Sequence, residues 1–183
     1  MPAERRIYVN FPGIAVVLLH HEFRGIPLKT MAFFLPEGRK VLSTREGFRE
    51  VEVVAENSCP PEGWDFVHSH PEEFFRGVYE SLGFTPSSAS FLFTRAGLSL
   101  AAMANLLITV TEAKVEALKE LDVRSVYNRE LQATGTGTDE VMIVSGRGER
   151  VERLKGHSEL SVQAGRAVLE AVAEAIKKRG GRR

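Results

Sequence analysis

Between residues 5 and 58 the chain passes through β-branched, apolar stretches separated by short connections, and this spacing is its strongest constraint. A parallel crossover needs about a dozen residues or more, so strands joined this closely must double back as an antiparallel meander. "RRIYVNFPGIAVVLLH" gives two short strand-like runs broken at Phe11-Pro12-Gly13, where proline fixes φ and glycine admits positive φ. "LKTMAFFLP" follows and is expected to end at Pro36, and "KVLST" restarts after the turn "EGR". "REVEVVAENS" alternates Val51, Val53 and Ala55 with Glu50, Glu52 and Glu56, which predicts a strand with one wet face.

The period then changes. In "PEEFFRGVYESLG", Phe74, Phe75, Val78 and Leu82 share one side of a helix, with Pro71 suited to its first turn and Gly83 to its stop. "SASFLFT" reads as a brief strand, and Gly97 as a turn. "LSLAAMANLLITVTEAKVEALKELDV" admits two readings. Ser99 can cap a single helix reaching about Leu121, apolar nearly all round and therefore buried; alternatively "NLLITVT" is a strand and the helix starts at Thr111. The run Ala101 to Ala104 favours the single helix, which is the preferred reading. "DEVMIVSG" is a strand by its apolar, β-branched content. In the last segment Leu160, Ala164, Val168, Ala171, Val172 and Ala175 recur at helical spacing, Ser158 suits the cap, and Gly180 the end.

Strands first and helices later predict an α/β chain of the α+β type. The expected form is a single domain over residues 1–178, with a largely antiparallel or mixed sheet against a few helices, including a long C-terminal one. The basic residues 179–183 are expected to form a disordered tail.

Lys plus Arg number 24 and Asp plus Glu 24, so no overall field favours nucleic acid or a membrane surface. The single cysteine, Cys59, forbids an internal disulfide and fits a reducing compartment. With no signal-like leader and no apolar run of membrane-spanning length, a cytoplasmic location is expected. Scarce Asn and Gln beside abundant Glu, Lys and Arg hint at a thermophile. The apolar stretch 98–121 also suits a homodimer seam.

"QATGTGTDEVMIV" (132–144) places glycines and threonines directly before a strand. A Walker loop needs a lysine and a following helix, and a dinucleotide loop opens a helix, so neither fits. Two readings remain. Thr134, Thr136 and Thr138 alternate with Gly135 and Gly137, so the loop can surround a polar group, with Asp139 as acid, base or orienter. The plainer reading is a tight turn capped by Asp139. "HSH" would place His68 and His70 on one face if extended, but a turn before Pro71 suits it better and no metal site is expected.

Three pieces in order, "TVTEAKVEALKELDVRS", "ATGTGTDEVMIV" and "GHSELSVQAGRAVLEAVAEAI", resemble the carboxyl half of the adenosylcobinamide amidohydrolase (CbiZ) family. "VLSTREGFREVEVVAENSCP" and "HPEEFFRGVYESLGF" are similar to earlier family stretches, so the likeness spans roughly 30–178. It departs from the family in two places. The segment around 95–105 is shorter, and Ser161 and Val162 stand where the family has Gly and Glu. Membership implies hydrolysis of the amide between aminopropanol and a corrin propionate, giving adenosylcobyric acid in corrinoid salvage. The alternative is a non-catalytic corrinoid or small-ligand binding module. The resemblance implies a corrinoid partner and no cofactor of the protein's own, since the substrate carries the cobalt.

Carried onto this chain, the motifs offer Glu112, Lys114, Asp139 and His157 as catalytic candidates. Ser43, Thr134, Gly135, Thr136, Gly137 and Thr138 are the substrate-binding candidates. Amide hydrolysis needs an activated water or nucleophile, oxyanion donors and an acid for the amine. Glu112 and Asp139 suit base and orienter, His157 the acid, and the N–H groups of Gly135 and Gly137 the oxyanion. A threonine nucleophile activated by Lys114 or His157 is the covalent alternative. Glu112 and Lys114 lie two apart, so on a helix they face different ways.

Overall fold

The computed structural model describes residues 3–7, 14–82, 90–125, 127–135 and 139–178. The chain forms two compact units, one from 1–39 and 50–89, the other from 40–49 and 90–183.

In the first unit β1 (Ala3–Ile7), β2 (Ala15–Phe23) and β3 (Ile26–Ser43) are antiparallel neighbours, as the short connections required. Arg24 and Gly25 close the β2–β3 hairpin with φ of 52° and 79°. Two successive positive φ values match the twist of the flanking strands, which is why a two-residue turn is enough. Arg24 lies over the Phe66 ring, 4.9 Å from guanidinium carbon to centroid, and pairs with Glu73. β4 (Gly47–Ser58) pairs with β3. Its outward alternation holds at Glu50 and Glu52 but gives way further on, where Val54, Ala55 and Asn57 are buried and Glu56 half-buried. After a short 3-10 turn, α1 (Trp64–Ser69) and α2 (Pro71–Leu82) follow. Phe74 and Val78 of α2 are buried with Leu28 of β3, and Phe23 meets Phe74 edge-on at 5.6 Å. Each fully buried side chain of this size contributes about 2 kcal/mol. Gly77 lets the Phe23 ring lie against the helix where any Cβ would collide.

β3 corrects one expectation. Pro36 does not end the strand; β3 runs through Glu37 and Gly38, which take φ of 62° and 69°, and continues to Ser43. Strand pairing on both sides of the irregularity holds it in one element: residues up to Phe34 pair with β2, and Val41 to Ser43 pair with β7. The "HSH" triplet is neither extended nor the simple turn expected: His68 and Ser69 end α1, His70 caps it, and the His70 ring stacks on Phe66 at 5.0 Å.

In the second unit β7 (Val141–Val144) is antiparallel to the end of β3 and parallel to β5 (Ser90–Phe93), which makes the sheet mixed. All four β7 residues are buried, and Val141 and Ile143 pack in a core with residues of the helix that begins at Leu100. β6 (Gly97–Leu98) and β8 (Arg150–Val151) form a small parallel pair. The single-helix reading holds: α3 spans Leu100–Glu120, and the Ser99 hydroxyl caps it by accepting from the Ala102 N–H at 3.1 Å. α4 (Glu159–Lys178) begins beside Ser158, whose hydroxyl accepts from the Ser161 N–H at 3.4 Å. Ala102, Met103, Leu106 and Val110 of α3 share a core with Val141, Ile143 and Ala164.

Two helix expectations need correction. α3 is not buried all round: Leu100 is 50% and Ile108 58% exposed, because the core covers only the face bearing Ala102, Leu106, Val110, Lys114 and Ala117. On α4, Ala171 and Ala175 are exposed while Val168, Val172 and Ile176 are half-buried, so the covered stripe is narrower than the spacing suggested. Gly83, Gly180 and the tail 179–183 lie outside the described residues. Among the described residues no helix is long and apolar enough to cross a membrane.

Candidate active site

Near the start of β7, side chains from three separated stretches of the second unit meet. α3 supplies Lys114, which lies on the same helix face as Leu106, Val110 and Ala117 and is buried with them. An aliphatic stem can lie in an apolar core, but the ammonium must find a partner. It finds Asp139, whose Oδ2 accepts from Lys114 Nζ. The side chains are 11% and 27% exposed, so the pair sits at the edge of the core with the carboxylate the more accessible end. Gly135 packs against this pair. A Cβ there would run into the Asp139 carboxylate and lie 3.2 Å from Lys114 Nζ, so the position has room only for glycine while the pair is intact.

The next residue in the chain meets a different environment. Glu140 is 4% exposed and accepts from the Ser43 hydroxyl. The Ser43 oxygen in turn accepts from the N–H groups of Arg45 and Glu46, both at 3.1 Å, and so closes the turn after β3. Thr44 completes the clasp, its hydroxyl accepting from the Val141 N–H at 3.1 Å. Burial pushes the Glu140 carboxyl above the ordinary carboxylate range, against the smaller pulls of the Ser43 hydrogen bond and Arg45; Glu46 adds to the rise. Sequence reasoning did not select Glu140. The available signal was its place directly before the four apolar residues of β7.

The structure therefore brings together Lys114, Asp139 and Gly135, and joins Ser43 to Glu140. Thr134 is exposed in the same loop. Thr136, Gly137 and Thr138 lie outside the described residues. Glu112 is exposed on α3, turned away from the face that carries Lys114, as the two-residue spacing required. His157 is exposed in the turn before α4, and no hydrogen bond or ion pair among the described residues links it to Lys114, Asp139 or Glu140. Among the described residues no group of three or more His, Cys, Asp or Glu is placed to hold a metal ion.

A buried cation paired with a half-open carboxylate, backed by bare main chain, can hold and polarise a small polar group, and comparison with known proteins identifies the class. Residues 90–183 match the family described as CbiZ, adenosylcobinamide amidohydrolase, a stretch that contains Lys114, Gly135 and Asp139. An uncharacterised protein of Methanocaldococcus jannaschii is 30% identical over 221 aligned residues, covering 82% of this chain and 86% of the relative. The chain belongs to the adenosylcobinamide amidohydrolase family. That alignment is longer than the 183 residues of the chain, so it opens gaps on this side and the relative carries insertions. No solved structure matches the chain.

Proposed function

We propose that this protein hydrolyses the amide joining aminopropanol to a propionate side chain of the corrin ring in adenosylcobinamide, releasing adenosylcobyric acid and aminopropanol. The observation that carries the reading is the Lys114–Asp139 pair, formed between two family motifs and fitted against Gly135. Folding alone gives little reason to keep it: desolvating two charges costs about as much as their attraction returns, and an apolar pair would often serve stability as well.

In this mechanism Asp139 takes a proton from a water molecule, and the hydroxide adds to the amide carbonyl carbon. The Lys114 ammonium faces the oxygen on which negative charge develops, and the missing side chain at Gly135 lets the substrate approach the main chain. Collapse breaks the C–N bond, and the amine departs with the proton held by Asp139. One water is consumed and one carboxylic acid and one amine are formed. No cofactor of the protein's own enters this scheme; the substrate brings the cobalt.

The test is incubation of the purified protein with adenosylcobinamide and chromatographic detection of adenosylcobyric acid. Product formation that falls at least about 100-fold in both D139N and K114M supports the mechanism. Absence of product from the wild type overturns the reaction. Product formation unaffected by either substitution overturns the assignment of the site. A second reading, a non-catalytic corrinoid-binding module, is favoured by one observation: neither Glu112 nor His157 joins the pair as a further proton donor. Tight cobinamide binding without turnover selects it.

A further inference from the structure

We infer that Glu140, acting through Ser43, is a positioning residue for the reaction proposed above, on which this inference rests: it fixes the main chain that carries Asp139, so that the carboxylate is held against Lys114. Asp139 and Glu140 are consecutive, yet their side chains reach different elements. Asp139 accepts from Lys114 on α3, whereas Glu140 accepts from Ser43 at the end of β3. Ser43 is 5% and Glu140 4% exposed, so their effect on a substrate runs through Asp139 rather than through contact.

The hold on the chain is continuous from Glu140 onward. The Ser43 hydroxyl donates to Glu140 while its oxygen accepts from the N–H groups of Arg45 and Glu46 at 3.1 Å, so Glu140 is tied to a turn that is itself closed. Thr44 and Val141 exchange two bonds: the Thr44 N–H donates to the Val141 carbonyl at 3.0 Å, and the Val141 N–H donates to the Thr44 hydroxyl at 3.1 Å. Met142 lies opposite Ser43 in the β3–β7 ladder. Three consecutive residues are thus pinned to one partner segment, beginning one residue after Asp139. The carboxylate has little room to err, because Gly135 stands so close that a Cβ there would meet it. A carboxyl is also a poor choice for a clasp that serves stability alone. Burial disfavours the charged form of Glu140, and an apolar pair at 43 and 140 would fill the same space without that cost. The apolar pair would lack direction, which the hydrogen bonds supply.

The experiment combines steady-state hydrolysis of adenosylcobinamide with urea unfolding of the full chain, for the wild type, S43A, E140A, E140Q, D139N and the double variant S43A/D139N. Rates are taken without urea, where circular dichroism shows each variant folded; should E140A not fold, S43A carries the test. The expected result is a kcat lowered about 30-fold in S43A and E140A with KM within about twofold of wild type. E140Q, which keeps an oxygen to accept from Ser43, stays within about threefold of wild-type kcat. In unfolding, the midpoint loss caused by D139N is at most half as large in the S43A background, because a loosened pair has less to lose. Wild-type kcat in S43A and E140A beside lowered midpoints makes the clasp merely structural and overturns the inference, as do additive midpoint losses. A loss in E140Q equal to that in E140A overturns it too, by assigning the effect to charge. No turnover by the wild type, with the midpoints still non-additive, overturns the reaction and leaves the hold of Glu140 on the pair standing.

Discussion

Two polar clusters, one in each unit, solve the problem of buried polarity in opposite ways. In the first unit the neutral groups of His21, Thr30 and Asn57 converge: the Thr30 hydroxyl meets His21 Nε2 at 2.8 Å and accepts from the Asn57 amide at 2.9 Å. Thr30 is fully buried, and the Asn57 side-chain oxygen is buried with no hydrogen-bond partner among the described residues. In the second unit the buried polarity is charged, and one member of the pair reaches solvent. A neutral network in the interior costs little electrostatically and specifies how strands align. A charged pair at the rim is a poor means of stabilisation but a good means of polarising a substrate. On the function proposed above, the first cluster serves structure and the second chemistry.

The largest expected effect tests that assignment directly. D139N should abolish most hydrolysis and also cost about 3 kcal/mol of stability, because Lys114 is left buried without its counter-charge. The double variant K114M/D139N should regain much of the stability in urea unfolding while activity stays lost. Recovery of both together would break the comparison. T30V should cost about 2 kcal/mol, since it strips His21 and Asn57 of their shared partner, and should leave kcat/KM within about twofold of wild type. An activity loss as large as that of D139N would place the first cluster in the chemistry after all.

G135A comes next. Its methyl must displace the Asp139 carboxylate from Lys114, so kcat/KM should fall about tenfold, with a stability loss smaller than that of D139N because the displaced carboxylate keeps its charge close to Lys114. The smallest effect concerns Glu140, whose carboxyl is raised by burial. The folded state then binds the proton more readily than the unfolded one, so this group's stabilisation is present at low pH and is lost as pH rises through the raised folded value. E140Q should therefore be more stable than wild type near neutral pH, with the difference closing as pH falls into the ordinary carboxylate range. Thermal unfolding across pH checks the sign. His21 works the other way: burial, with a smaller push from His20, lowers its pKa, so stability from this group falls as pH drops below the ordinary histidine value.

Much of the fold was legible because its causes are local. The Phe74 and Val78 spacing, the Ser99 cap and the apolar run of β7 each declare their element within a few residues. Pro36 misled because a local breaker was outweighed by pairing on both sides of it. The α3 sequence misled differently: composition gives the helix but cannot say how much of its surface other elements cover. Within the site, spacing placed Glu112 and Lys114 on different faces without saying which faced inward. Glu140 was passed over because its partner, Ser43, lies 97 residues away in the chain.

The sequence by itself determined the three longer helices, most of the strands and, through three motifs in order, the family, because periodicity and motif order are written along the chain. Only the tertiary structure decided that Lys114 meets Asp139 and Ser43 meets Glu140, separations of 25 and 97 residues. The physical reason is that whether a charge is tolerated depends on what surrounds it in space, and burial is a property of the packed core rather than of any residue's neighbours in sequence.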